Sequence, residues 1–98
     1  MKIIWSPLPI ERVTEIVKYI AENNPGAADN WIHSVFNSVE KLSNFPESGG
    51  IVPELNKEKI RELIHGNYRI IYQIGSLAIE ILTVRHGKQI LTEDKLAE

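Results

Sequence analysis

The chain has 98 residues, 43% hydrophobic and 24% charged, which suits one domain and is too apolar for a disordered segment. Its 11 Lys and Arg against 13 Asp and Glu give a net charge of −2, which argues against charge-driven binding of nucleic acid. The absence of cysteine excludes disulfides, thiolate metal sites and cysteine nucleophiles, and no segment has the ~20 apolar residues of a membrane-spanning helix. We therefore expect one small cytoplasmic domain that has no membrane partner.

The first half of the chain predicts a strand followed by two helices. Lys2 to Trp5 is short and rich in β-formers, and Ser6-Pro7 supplies an N-cap hydroxyl and a proline at the first helical position. Apolar residues then recur at helical spacing in two runs. The first run is Val13, Ile16, Val17 and Ile20, and the second is Ala28, Trp31, Ile32, Val35, Phe36, Val39 and Leu42. Asn23-Asn24-Pro25-Gly26 separates the runs, and the second extends to about Asn44, so we expect an antiparallel helix hairpin.

The second half predicts three strands. Breakers from Phe45 to Gly50 end the helical pattern, and three runs rich in Ile, Leu, Val and Tyr follow. The runs are Ile60 to His65, Tyr68 to Ile74 and Leu77 to His86, joined by Gly66-Asn67 and Gly75-Ser76. The fold class is therefore α+β, in the order β-α-α-β-β-β, with the hairpin on one face of a mainly antiparallel four-stranded sheet. We expect residues 1–91 to form the domain and residues 92–98 to be a mobile tail.

This order and several local strings resemble the RelE/ParE superfamily of toxins from type II toxin–antitoxin modules. The matching strings are Trp5-Ser6-Pro7, Ile16-Val17-Lys18-Tyr19-Ile20-Ala21, Phe45-Pro46-Glu47-Ser48-Gly49, Val52-Pro53-Glu54, Ile60-Arg61-Glu62-Leu63-Ile64, Gly66-Asn67-Tyr68-Arg69-Ile70-Ile71-Tyr72 and Val84-Arg85-His86-Gly87-Lys88. They cover nearly the whole chain in the right order, and the Arg-Glu-Leu-Ile, Asn-Tyr-Arg-Ile-Ile-Tyr and His-Gly-Lys strings are the most specific. The resemblance implies the superfamily fold, and it leaves the activity open because fold does not fix function.

The resemblance implies one of two activities. ParE-like members inhibit DNA gyrase, whereas RelE-like members enter the ribosomal A site and cleave mRNA without a metal or other cofactor. Both kinds are neutralised by a cognate antitoxin whose disordered segment folds on the toxin, so a toxin–antitoxin hetero-oligomer is expected. A degenerate toxin that retains only antitoxin binding is the third alternative.

Cleavage of RNA would need a base for the attacking 2′-hydroxyl, cations for the phosphorane and an acid for the leaving oxygen. The candidates under this alternative are Glu54, Arg61, Arg69, Arg85 and His86. Four of them also have a structural interpretation. Arg69 either contacts the scissile phosphate, as the resemblance implies, or pairs with a nearby carboxylate, the choices being Glu54, Glu62 and Glu80. His86 either transfers protons or bonds to backbone, Glu54 lies in a mixed-charge loop, and Arg61 can pair with Glu62.

A second group of residues is expected to face a substrate or partner. These residues are Tyr19, Lys59, His65, Lys88 and Gln89. No His, Asp or Glu spacing suggests a metal site. The RelE-like RNases often carry a terminal tyrosine that stacks and acts as an acid, and no tyrosine follows Tyr72 here. That departure counts against RelE-type cleavage.

The charge is unevenly distributed. Between Leu63 and Leu91 the single acid Glu80 stands against three cations, Arg69, Arg85 and Lys88, while the rest of the chain carries the negative excess. This mildly positive half is the expected contact surface for an antitoxin segment rich in hydrophobic and acidic residues. A ParE-like toxin that inhibits gyrase by protein–protein contact is the first hypothesis, and the ribosome-dependent mRNA endonuclease is the second.

Overall fold

The computed structural model describes residues 1–97, which form two helices and one sheet. The elements are β1 (Lys2–Trp5), α1 (Pro7–Asn23), α2 (Pro25–Glu40), β2 (Gly50–Ile51), β3 (Ile60–His65), β4 (Tyr68–Ile74) and β5 (Ala78–His86). Short 3-10 turns cover Lys41–Ser43, Pro46–Ser48 and Glu93–Ala97. In the described part of the chain, no helix combines the length and the apolar character that crossing a bilayer requires.

The sheet has five strands in the order β1-β5-β4-β3-β2. The pairs β2–β3, β3–β4 and β4–β5 are antiparallel, whereas β1 lies parallel to β5 at one edge. The α+β fold and its order are thus confirmed, and the strand count corrects the four predicted. The additional strand, β2, is only Gly50–Ile51 against Glu62 and Arg61, a length at which no alternation of side chains can be recognised.

The two helices begin and end near the predicted signals. The Asn24 side chain accepts a hydrogen bond from the Ala27 N–H at 3.0 Å and so caps α2. Ser6 occupies the N-cap of α1 but makes no capping bond, because its hydroxyl donates instead to the Ile81 carbonyl at 3.5 Å. The α-helical part of the second run stops at Glu40, and a 3-10 turn completes it over Lys41–Ser43.

Each face of the sheet has its own apolar cluster. The helix face buries Val13, Val35, Val39, Leu42, Ile70, Tyr72, Ile79, Ile81 and Val84. The opposite face buries Val52, Ile60, Ile71 and Leu91, with Leu55, Leu82 and Leu96 packed against them. The side chains of β4 alternate between the two clusters, so the central strand is covered on both sides and reads as a nearly continuous apolar run.

The C-terminal segment covers the opposite face. Leu91 is fully buried there, Leu96 packs beside it, and Glu93 forms an ion pair with Lys57 of the loop before β3. The 3-10 turn Glu93–Ala97 lies in the segment for which mobility is predicted. Its mobility stays a prediction, and Glu98 lies outside the described residues.

Candidate functional site

A cleft of about 520 Å³ opens where the β3–β4 turn meets the segment after β5. We name it the Arg69 cleft. Its lining is Pro53, Glu54, Glu62, Ile64, Gly66, Asn67, Tyr68, Arg69, His86, Gly87, Lys88, Gln89 and Ile90. Gly66 makes the adjoining two-residue turn with φ of 59°, a left-handed conformation that glycine adopts without a steric penalty.

Arg69 lies on the floor of this cleft and is only 6% exposed. β4 directs it to the face away from the helices, between Glu62 on β3 and Glu54 in the loop before β3. Its Nε and Nη2 donate to Glu62 Oε1 at 2.9 and 2.5 Å, and Nη1 and Nη2 donate to Glu54 at 2.6 and 2.9 Å. Nη1 also donates to the Gln89 carbonyl at 3.2 Å. All five N–H donors of a guanidinium are therefore bound within the chain.

We name Glu54, Glu62 and Arg69 the Arg69 network, and within it Arg69 and Glu54 stabilise each other's charged form. The hydrogen bonds from Arg69 lower the pKa of Glu54 from 4.5 to about 2, and the N–H of Leu91, 3.0 Å from Glu54 Oε2, acts in the same direction. The same contacts with Glu54 and Glu62 raise the pKa of Arg69. A carboxylate with so low a pKa is a weak base, so Glu54 is poorly suited to accept a proton from a hydroxyl.

A row of rings lies on the helix face at this end of the sheet. Tyr68 stands in register between His65 on β3 and His86 on β5. Trp31 from α2 meets Tyr68 edge-on at 5.5 Å and His65 at 6.3 Å, and Tyr68 meets His86 at 5.7 Å. These contacts pack the second helix onto the strand ends and give both histidines a structural role.

The structure does not bring the five nuclease candidates to one place. Arg61 is the register partner of Tyr72 and so projects to the helix face, where it donates to the carbonyls of Glu58 and Gly49, both at 3.0 Å. Glu54 and Arg69 lie on the opposite face. His86 aligns with Tyr68 on the helix face, and its Nδ1 lies 3.2 Å from the Lys88 N–H.

Arg85 is the register partner of Arg69 and also lines a small crevice beside Arg12 and Glu15 of α1. The five candidates are therefore divided between the two faces of the sheet. Glu54, Arg69 and His86 line the Arg69 cleft, whereas Arg61 and Arg85 lie outside it, and the catalytic roles of all five residues stay predictions. In the described part of the chain, no group of three or more His, Asp or Glu side chains could hold a metal ion.

The residues expected to face a partner are spread over the surface. Tyr19 is exposed on α1, and Lys59 is exposed just before β3. His65 ends β3 beside Trp31, and Lys88 and Gln89 border the Arg69 cleft. Only the last two lie in the cleft, and the partner contacts of all five stay predictions.

Sequence reasoning missed two features of the cleft. Glu54 holds the backbone of the C-terminal segment through Leu91, a contact between distant residues that leaves no local pattern. Ile64 and Ile90 are exposed apolar residues on its walls. The alternation of β3 could have identified Ile64, because Ile60 and Glu62 share its face and the strand ends one residue later.

Comparisons with known proteins give a family, a relative and a fold. The sequence profile described as "ParE toxin of type II toxin-antitoxin system, parDE" matches residues 3–91. A protein of Sinorhizobium fredii named "Putative toxin Y4kP" is 36% identical over 90 residues, which are 90% of each chain. A solved structure described as a chromosomal ParDE TA system from P. aeruginosa has the same fold, with a TM-score of 0.72 at 17% identity over 88% of this chain and 95% of that one.

Proposed function

This chain belongs to the ParE toxin family of type II toxin–antitoxin systems, and on that premise we propose that it inhibits DNA gyrase by protein–protein contact. One observation supports this target over mRNA. The guanidinium of Arg69, the cation expected to meet a scissile phosphate, has every donor occupied by Glu54, Glu62 and the Gln89 carbonyl. Binding RNA there would require breaking the Arg69 network, which leaves buried charge unpaired.

The contacts with gyrase are assigned to the helix hairpin and to the end of the sheet around β5. Tyr19 presents an exposed ring on α1, and Phe36 is a partly exposed ring on α2. Large aromatic side chains on rigid elements lose little conformational entropy when a partner covers them, which is typical of residues that dominate an interface.

A cognate antitoxin completes the proposed function. The exposed apolar side chains at the strand ends suit a segment that is disordered when free and folds on the toxin. We expect the antitoxin to be encoded by a small reading frame that adjoins this gene.

The experiment compares the two targets in parallel. The chain is purified without its antitoxin and added to a gyrase supercoiling assay and to a translation reaction in which cleavage of ribosome-bound mRNA is measured. We expect supercoiling to be blocked while mRNA stays intact. The protein of the adjoining reading frame, added in equal amount, should restore supercoiling.

A matched variant identifies the mechanism. His86→Gln keeps an acceptor for the Lys88 N–H and removes the only proposed proton donor of the nuclease alternative. The variant should still block supercoiling, because His86 is not part of the helix hairpin that supplies the aromatic contacts with gyrase. Cleaved mRNA that depends on His86, with supercoiling intact, would overturn the proposal in favour of the endonuclease. A chain that binds the antitoxin and affects neither target would identify a degenerate toxin.

A further inference from the structure

The outer edge of β3 is covered by β2 over two residues only. β2 pairs with Glu62 and Arg61, whereas β3 continues to His65. The Val52 N–H donates to the Ile60 carbonyl, and the Lys59 carbonyl accepts from the Ile74 N–H on the other side. Even-numbered residues of β3 therefore direct their backbone groups to the β2 side. Ile64 is next in this alternation, so its N–H and C=O point to the uncovered edge.

The same edge borders the Arg69 cleft, and its walls there are aliphatic. Ile64 is 65% exposed on β3, and Ile90 is 73% exposed on the segment after β5. The backbone is held on both sides of Ile90, because Arg69 donates to the Gln89 carbonyl and the Leu91 N–H donates to Glu54. Both side chains are thus presented to solvent on fixed backbone, an arrangement that favours a binding surface.

The floor of the cleft is negative. Glu54 and Glu62 contribute two negative charges against the single positive charge of Arg69, and Lys88 lies on the exposed rim. Glu62 Oε1 accepts both bonds from Arg69, and Glu62 Oε2 accepts no hydrogen bond from any residue within 1–97. This carboxylate oxygen is available to a cation that enters the cleft.

Open space connects the free edge with Glu62. Gly50 lies directly opposite Glu62 and on the same face, and a Cβ atom built at Gly50 would meet nothing within 4 Å. A residue paired with Ile64 would be the diagonal neighbour of Glu62, about 7 to 8 Å away, which is within reach of a long side chain. The absence of a side chain at Gly50 leaves that path open.

We propose that an extended segment of the antitoxin adds to the sheet beside Ile64, in line with β2, and places a Lys or Arg side chain over Gly50 against Glu62. The methylene stem packs against Ile64, and the cationic head binds Glu62 Oε2. A segment that pairs with the backbone N–H and C=O of Ile64 must itself be extended, and a disordered antitoxin segment adopts such a conformation on binding. The inference rests on the proposed function, which supplies the antitoxin.

The first test changes one wall of the cleft. Binding of the protein encoded by the adjoining reading frame is measured by calorimetry with the wild-type chain, with Ile64→Lys and with Leu77→Lys. Ile64→Lys removes the aliphatic wall and sets a positive charge beside the inserted cation, so we expect affinity to fall by about tenfold or more. Leu77 is 85% exposed in the β4–β5 turn at the other end of the sheet, and Leu77→Lys should bind as the wild type does.

The second test fills the path to Glu62. Gly50→Val should fold normally, because its Cβ meets no atom, and should weaken binding by about tenfold. Replacing the antitoxin's inserted cation by alanine should weaken binding to the wild-type chain and cause little further loss with Gly50→Val. Unchanged affinity for both Ile64→Lys and Gly50→Val would overturn the inference alone. Absence of any binding to the wild-type chain would overturn the proposed function, and the inference with it.

Discussion

Arg69 joins four parts of the chain through a single guanidinium group. From β4 it binds Glu62 on β3, Glu54 in the preceding loop and the Gln89 carbonyl after β5. Pairing with a carboxylate could be predicted from the sequence, which offered Glu54, Glu62 and Glu80. The choice among these three carboxylates could not be predicted, since it depends on the register of the sheet. Glu80 pairs with Gln73, four residues along β4 from Arg69 and so about 13 Å away.

The charge of Glu54 predicts how stability changes with pH. Its carboxyl titrates near pH 4.5 when unfolded and with a pKa of about 2 when folded. Between these values the unfolded chain binds more protons, so the contribution of Glu54 is complete above pH 4.5 and is lost as pH falls through 2. The full shift corresponds to about 3 kcal/mol, and solvent contact lowers the expected value to about 1 to 2 kcal/mol.

Urea unfolding of Glu54→Gln from pH 7 to pH 2 measures this contribution. The variant should be less stable than the wild type at pH 7, and the two should converge as pH falls. Glu58→Gln is the control, because Glu58 is in the same loop and makes no ion pair in the described part of the chain. A constant difference between Glu54→Gln and the wild type over the whole range would contradict the prediction.

The side chain of Tyr72 lies so close to Gly49 that no larger residue fits at this position without a shift. The Tyr72 hydroxyl accepts a hydrogen bond from the Gly49 N–H at 3.0 Å and donates to the Pro46 carbonyl at 2.7 Å. A Cβ atom at Gly49 would lie 2.5 Å from that hydroxyl oxygen and 2.6 Å from the Glu62 carbonyl oxygen. Gly49→Ala should therefore destabilise the fold by about 1 to 3 kcal/mol, measured by urea unfolding.

The neighbouring glycine provides the control for this prediction. A Cβ atom at Gly50 would meet nothing within 4 Å, so Gly50→Ala should leave the free energy of unfolding within about 0.5 kcal/mol or raise it slightly. Equal stability of the two alanine variants would show that the backbone at Gly49 relaxes without cost.

Among the helices and strands, the sequence predicted those in which apolar residues repeat at regular spacing over many residues. α1 and α2 have repeated apolar residues at helical spacing and proline or asparagine signals at their ends, and both were predicted. β2 is too short to have a period, and the segment after β5 is held by contacts with Glu54 and Arg69, which are distant in sequence. Such contacts depend on the register of the sheet, which local patterns do not specify.

The segment after β5 offers a paired test of its packing. Leu91 is 2% exposed in the cluster with Val52 and Ile71, whereas the adjacent Ile90 projects into the Arg69 cleft. Leu91→Ala should cost about 2 to 5 kcal/mol of the free energy of unfolding, and Ile90→Ala less than about 0.5 kcal/mol. Chemical unfolding of the two variants checks both values, and a small loss for Leu91→Ala would mean that the segment is not part of the folded domain.

For the molecule as a whole, the net charge of −2 conceals how the charges are distributed. The sequence identified a positive excess between Leu63 and Leu91, but Glu54 and Glu62 lie outside that range and neutralise Arg69 from both sides of it. The positive charge that reaches the cleft surface is that of Lys88 on the rim. A sum over a stretch of sequence cannot show this, because ion pairs form between residues that folding brings together.

The parallel pairing of β1 with β5 has a consequence for synthesis of the protein. Strand β1 pairs with Ala78–Ile81, and Lys2 lies opposite Ala78, 76 residues later in the chain. A contact of this sequence separation cannot form until the intervening chain has been released, and the packing of α1 against β5 needs the same residues. The edge strand β1 therefore takes its place in the sheet only after β5 has been synthesised.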